Sequence, residues 1–139
     1  MHIELNDKKV LLFRTDCFSA FDKLIAEGIK PDLILADPPY GITCKNVDSE
    51  RINLAYLWVQ IHRMTSPTTP TLLFGRDPYS AILRSSSSHF KYDWIWIKNV
   101  SSNFRSAHNM PRINTEFIHV FYIKQPTFFP QGVRELNAH

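Results

Sequence analysis

The sequence predicts an α/β fold with a mainly parallel sheet and helices on both faces, and two observations carry that prediction. Short apolar runs of strand type alternate with longer segments whose apolar residues recur at helical spacing. The stretches between successive runs are also long enough to hold crossover helices, the connection that parallel strands require. A chain of 139 residues with 44% hydrophobic residues makes one domain and can bury about two thirds of its unfolded surface, so it needs no disulfide or metal staple.

The elements follow in order. Lys9 to Thr15 (KVLLFRT) is an apolar run of buried-strand type. Phe18, Phe21, Leu24 and Ile25 then recur at helical spacing, with Asp16 where a helix is capped and Gly28 where one stops. Asp32 to Ala36 (DLILA) is a second buried strand, broken by Pro38 and Pro39, which cannot continue a central ladder. Leu54, Leu57, Trp58, Ile61 and Met64 mark a second helix, with Ser49 as its candidate cap. Thr71 to Phe74 (TLLF) is a third strand ending at Gly75, and Asp77-Pro78 begins a third helix, because proline early in a helix gives up a donor that has no partner there. The serine run Ser85 to Ser88 reads as that helix's end and a turn. Two aromatic strands close the pattern, Tyr92 to Lys98 (YDWIWIK) and Glu116 to Ile123 (EFIHVFYI).

Composition excludes several classes. With two cysteines far apart, Cys17 and Cys44, and no C-x-x-C or His/Cys cluster, neither a disulfide framework nor a metal site is indicated, and the setting expected is reduced and cytoplasmic. No stretch approaches the roughly 18 apolar residues of a membrane helix, and the start does not read as a signal peptide. Residues 1–80 hold nine basic and ten acidic side chains, whereas 81–139 hold seven and three. That excess suits a polyanionic partner, or is an ordinary solvated surface; charge alone does not choose.

Ligands of open α/β sheets bind beyond the carboxyl ends of the strands, which directs attention to Asp16, to Asp37-Pro38-Pro39-Tyr40-Gly41 and to Gly75. The string Asp37 to Tyr40 arises by chance in roughly one chain of this length in a thousand or two. Its two prolines remove two backbone donors and fix the chain, so the Asp37 carboxylate and the carbonyls of Asp37 and Pro38 can converge as acceptors. That is a socket for an NH₂ group. An exocyclic amine on a nucleobase is a poor nucleophile, because its lone pair is delocalised into the ring. Two acceptors on its hydrogens favour a pyramidal nitrogen and stabilise the positive charge that develops when it attacks a methyl donor. Tyr40 offers a flat face for stacking a base, or is a core aromatic, and Gly41 permits close approach.

The string ADPPYG at the end of DLILA resembles the catalytic motif of the S-adenosylmethionine-dependent DNA amino-methyltransferases, which act on adenine N6 or cytosine N4. LLFRTDCF ahead of it, the helix ending His62-Arg63-Met64, TLLFG, Trp96 to Lys98 and the strand led by Glu116 are similar to that family's catalytic half, in the same order. The resemblance covers residues 8–124 and implies a catalytic domain over 1–124 with 125–139 as a tail. It implies a Rossmann-like methyltransferase fold, S-adenosylmethionine as cofactor, DNA as partner with adenine as the foremost target, and a cytoplasmic restriction-modification setting of prokaryotic or phage origin. Asp37, Pro38, Pro39 and Tyr40 become catalytic, with Tyr40 and Gly41 receiving the base. Asp16 is similar to the family's acidic contact to the cofactor, though a plain helix cap accounts for it equally. Related protein-glutamine enzymes usually carry Asn at the place of Asp37, and messenger-RNA enzymes Trp at that of Tyr40, so RNA and protein amides are disfavoured.

The family's cofactor turn, F-x-G-x-G, is absent: the four glycines are Gly28, Gly41, Gly75 and Gly132, no two close together. The chain resembles the amino-terminal part of the circularly permuted subgroup, in which the cofactor motif comes last. By that resemblance the sheet lacks two central strands. A second chain would supply them, or the first strand would pair directly with Asp32 to Ala36, or that edge would stay open to self-association. An inactive relative that binds nucleic acid or a partner is the alternative reading. The polar stretch Asn99 to Asn114 is either a loop meeting the phosphate backbone through Arg105 and Arg112, with Lys98 at its start, or a plain surface loop. His119 reads as a packed or exposed strand residue rather than a metal ligand.

Overall fold

A computed structural model describes residues 2–5, 8–41, 51–102 and 107–131. Among these residues nine elements follow one another: β1 (His2–Leu5), β2 (Lys8–Leu11), α1 (Cys17–Ala26), β3 (Ile34–Ala36), α2 (Leu54–Met64), β4 (Thr71–Gly75), α3 (Tyr79–Ser85), β5 (Phe90–Ser102) and β6 (Ile113–Phe121). The principal sheet has the order β3-β4-β6-β5.

Three expectations are corrected. The sheet is mixed rather than mainly parallel: β3 and β4 run parallel, but β6 is antiparallel to both β4 and β5. The reason lies in the connections, since a helix joins β3 to β4 whereas among the described residues none stands between β5 and β6, whose short connection favours an antiparallel pair. The run from Lys9 to Thr15 joins no central strand. It stops at Leu11 and pairs with β1 in a separate antiparallel ribbon, leaving Leu12 and Phe13 exposed. Finally, Asn99 to Asn114 is not one loop, because β5 continues to Ser102 and β6 begins at Ile113.

The helices follow their sequence signals. Asp16 caps α1 by accepting from the Ser19 N–H at 2.9 Å, and its hydroxyl bond from Ser19 is the main reason its carboxyl is held below the ordinary 3.8. After α1, Gly28 takes φ +67° and the chain turns back with Ile29 N–H on the Leu24 carbonyl, the left-handed ending that glycine makes easy. The cap of α2 is Asn53, which accepts from Tyr56 N–H at 3.0 Å; Ser49 lies outside the described residues. Pro78 stands at the cap position of α3, one place earlier than a first helical residue. The serine run ends that helix as expected, and Ser86 accepts the Trp58 indole N–H at 2.8 Å, tying α3's end to α2.

One face of the sheet carries the core. Ile34, Leu73 and Phe121 meet Leu57, Trp58 and Ile61 of α2 and Tyr79 and Leu83 of α3, with α1's Phe18, Phe21, Leu24 and Ile25 packed at the margin. The sequence pattern anticipates helices on both faces, but the core cluster gathers all three on this one. Each fully buried side chain contributes on the order of 1.5–3 kcal/mol.

A polar unit is built into the same face. His119 is fully buried, its Nδ1 2.5 Å from Asp93 Oδ1 and its Nε2 2.9 Å from Ser80 Oγ. Arg84 reaches Asp93 at 3.1 Å. β4 passes this unit at Gly75, where a Cβ would lie 2.7 Å from His119 Nε2 and 2.9 Å from Ser80 Oγ. Neither neighbour can yield without breaking a buried hydrogen bond, so Gly75→Ala is expected to lower stability by about 1–3 kcal/mol, read from the midpoint of urea unfolding. Leu73→Ala, which opens a cavity at the centre of the sheet, is expected to cost about 2–5 kcal/mol in the same assay.

A pH dependence follows from the α1 cap. Because the folded carboxyl titrates below its unfolded value, the contribution of Asp16 is complete above the ordinary 3.8 and disappears as pH falls through the lower folded value. The stability difference between the protein and its Asp16→Ala variant is therefore expected to be constant at neutral pH and to shrink only below pH 3.8, as followed by denaturant titrations at stepped pH.

Candidate active site

β3 ends because the sequence ends it. Ala36 is the last paired residue, and Pro38 and Pro39 deny the ladder two successive donors. The chain therefore leaves the sheet at Asp37, at the carboxyl end of a strand next to β4, and the exposed Asp37 side chain is carried into the open. Pro38 is buried beneath it, and Tyr40 is half-buried.

Tyr40 turns back on Asp37. Its hydroxyl donates to Asp37 Oδ1 at 2.7 Å, and its ring stacks on Tyr79 with centroids 5.5 Å apart and planes inclined by 26°. Burial, and then the bond to Asp37, push the Tyr40 phenol far above the ordinary tyrosine range. Tyr79 is fully buried at the start of α3. Its hydroxyl has no hydrogen-bond partner among the described residues, and burial raises it to about 12, with the charge of Arg51 pulling the other way. Gly41 adopts φ +64°, and the Arg51 stem lies where a side chain at 41 would stand, its Cγ 2.5 Å from an added Cβ. The loop thus needs glycine both for its conformation and for this approach.

The other residues singled out by the sequence are distributed as follows. Lys98 and Glu116 form a half-buried ion pair at 2.5 Å across β5 and β6, and the Glu116 charge is felt at Tyr40. Lys98 is therefore held near the site's end of the sheet with its charge already met. Arg112 is exposed just ahead of β6. Asp16 is exposed at the start of α1 with both carboxylate oxygens engaged by Ser19 and Thr15. Arg105 lies outside the described residues.

Sequence reasoning missed Tyr79, Arg51 and Glu116 as neighbours of the motif. Asp77-Pro78 signalled the helix that carries Tyr79, but no local pattern reports a ring contact across 39 residues of sequence. The arrangement can hold a flat ring beside Tyr40 and accept hydrogen bonds at Asp37. The described residues do not fit a cofactor by themselves: Gly28 and Gly41 lie in separate turns and Gly75 ends β4, and none forms a strand-to-helix cradle of paired glycines. Among the described residues no cluster of three or more metal-ligating side chains occurs, and no helix is long and apolar enough to cross a membrane.

No family model matches the sequence, and no curated protein does. Solved structures do. The crystal structure of the M1.HpyAVI-SAM complex matches with a TM-score of 0.63 at 18% identity, covering 89% of this chain and 63% of that one. A second crystal structure of M1.HpyAVI matches with a TM-score of 0.64 at 18% identity, over 89% and 61%. The chain therefore spans less than two thirds of the length of these neighbours. The likeness shows the fold, a Rossmann-like α/β methyltransferase fold whose sheet is here incomplete.

Proposed function

We propose that this chain is the target-amine half of a DNA amino-methyltransferase, adenine being its foremost substrate and S-adenosylmethionine its methyl donor. The observation that carries the reading is the Asp37-Pro38-Pro39-Tyr40 turn at the carboxyl end of β3, with the Tyr40 ring laid beside Asp37. The solved complex of M1.HpyAVI with SAM, on the same fold, supports the choice of cofactor.

On this reading the Asp37 carboxylate and the Pro38 carbonyl accept the two amine hydrogens. That draws the nitrogen lone pair out of conjugation and stabilises the charge arising on the nitrogen. The Tyr40 ring, backed by Tyr79, carries the base face. S-adenosylmethionine, when bound, supplies an electrophilic methyl group. This chain would contribute Asp16 towards that cofactor, and a second chain bearing the glycine cradle would complete its site. Gly41 gives the motif its positive-φ turn and lets Arg51 pack against it, Arg112 serves the phosphate backbone at this end of the sheet, and Lys98 serves it only on release from Glu116; Arg105 is assigned to the same role from the sequence alone. Residues 1–124 form the catalytic half-domain in this reading and 125–139 its tail.

A second reading, binding of nucleic acid without turnover, is favoured by one observation: no two glycines stand close enough to form the cradle. Labelled S-adenosylmethionine and mixed-sequence DNA separate the two. Methyl transfer by the protein and a fall of about 10²–10³-fold in Asp37→Ala support catalysis, with Tyr40→Ala weakening target binding by about 1–3 kcal/mol and Tyr40→Phe retaining it. Equal transfer by Asp37→Ala removes Asp37 from the chemistry. DNA retention with neither cofactor binding nor transfer favours the second reading.

A further inference from the structure

β5 is the outer strand of the sheet, and among the described residues nothing pairs with its far edge. Its middle is apolar on both sides. Tyr92, Trp94 and Trp96 stand opposite Val120, Ile118 and Glu116 on one face, while Asp93 and Ile95 stand opposite His119 and Phe117 on the helix-clad face. Four consecutive large residues remain largely open to solvent: Trp94 48%, Ile95 62%, Trp96 48% and Ile97 68%. An edge of this kind templates strand addition unless something covers it. The unpaired backbone N–H and C=O groups of that edge are met in register by another strand, not by a helix laid on a face, so the fitting element is a strand.

We propose that this element is β5 of a second copy, paired antiparallel about Ile95 so that two sheets become one of eight strands. A two-fold axis normal to the sheet keeps each face continuous, and the pairing is then self-complementary. Ile95 meets its own equivalent, Trp94 lies opposite Trp96 of the second copy, and Tyr92 lies opposite Lys98. No like charges stand directly opposed. The Lys98 to Tyr92 pairing repeats a contact that this sheet already uses within the chain, where Lys91 Nζ lies 5.2 Å from the Tyr122 ring centre and Lys98 Nζ 5.9 Å from that of Trp96. Asp93 is compatible with an apolar neighbour, since His119 and Arg84 already hold its carboxylate. The opposite edge is unsuited to the same role: β3 has three residues and runs directly into Asp37, Pro38 and Pro39.

Light scattering on the eluting full chain tests the proposal. The expected mass is about twice the 16.2 kDa of one chain. Ile95→Lys places two ammonium groups together on the axis and is expected to give a monomer with an unchanged far-UV spectrum, whereas Leu35→Lys on β3 leaves the dimer. A second measurement does not depend on that variant folding. With Cys17 and Cys44 replaced by Ser, Ile95→Cys is expected to cross-link two copies on mild oxidation, and Ile82→Cys on α3 is not. A wild-type monomer, a dimer that survives Ile95→Lys or is lost in Leu35→Lys, or an Ile95→Cys protein that does not cross-link overturns the proposal.

Discussion

The buried imidazole of His119 is the contact on which the remaining geometry turns. It lies on β6, holds Asp93 of β5 at one nitrogen and Ser80 of α3 at the other, and is approached so closely by Gly75 of β4 that no side chain fits there. Four elements are thereby fixed to one ring. Because both nitrogens are engaged and the ring has no access to solvent, losing either partner leaves a buried polar group unpaired, which costs more than the bond itself is worth. This makes the unit an alignment device rather than a reactive one.

Its effect reaches the motif through one residue. Ser80 is adjacent to Tyr79, so anchoring the serine on His119 also anchors the ring that backs Tyr40. Tyr40 in turn is braced at its hydroxyl by Asp37. The flat face beside the carboxylate is thus held from two directions, by a buried stack and by a short-range hydrogen bond. Such double support is what keeps a binding surface in place before any ligand arrives.

Much of this was legible in the sequence where the signal is local. The helices announced themselves through apolar spacing and through caps such as Asp16, and β4 emerged almost residue for residue from TLLFG. The turn at Asp37 was legible because two prolines leave the backbone few choices. Strand direction was not. The string KVLLFRT has the composition of a central strand, yet it pairs only with β1, because strand character reports what a segment can bury and says nothing about which neighbour it finds. The polarity of Asn99 to Ser102 concealed the end of β5 for the same reason, since an edge strand tolerates polar side chains that a central strand excludes. Tyr79 and His119 were invisible as a pair of supports, because their roles arise from contacts across 39 residues of sequence.

The hydrogen bond from Tyr40 to Asp37 has a further meaning for selectivity. One carboxylate oxygen of Asp37 is served by an internal hydroxyl. An incoming group with a single donor merely exchanges for that hydroxyl and gains little over it. A group carrying two hydrogens on one nitrogen can engage a second acceptor as well, and so has an advantage that the phenol cannot match. On the proposed function the motif would thereby rank ligands by how many hydrogens they bring, with its own tyrosine as the standard of comparison.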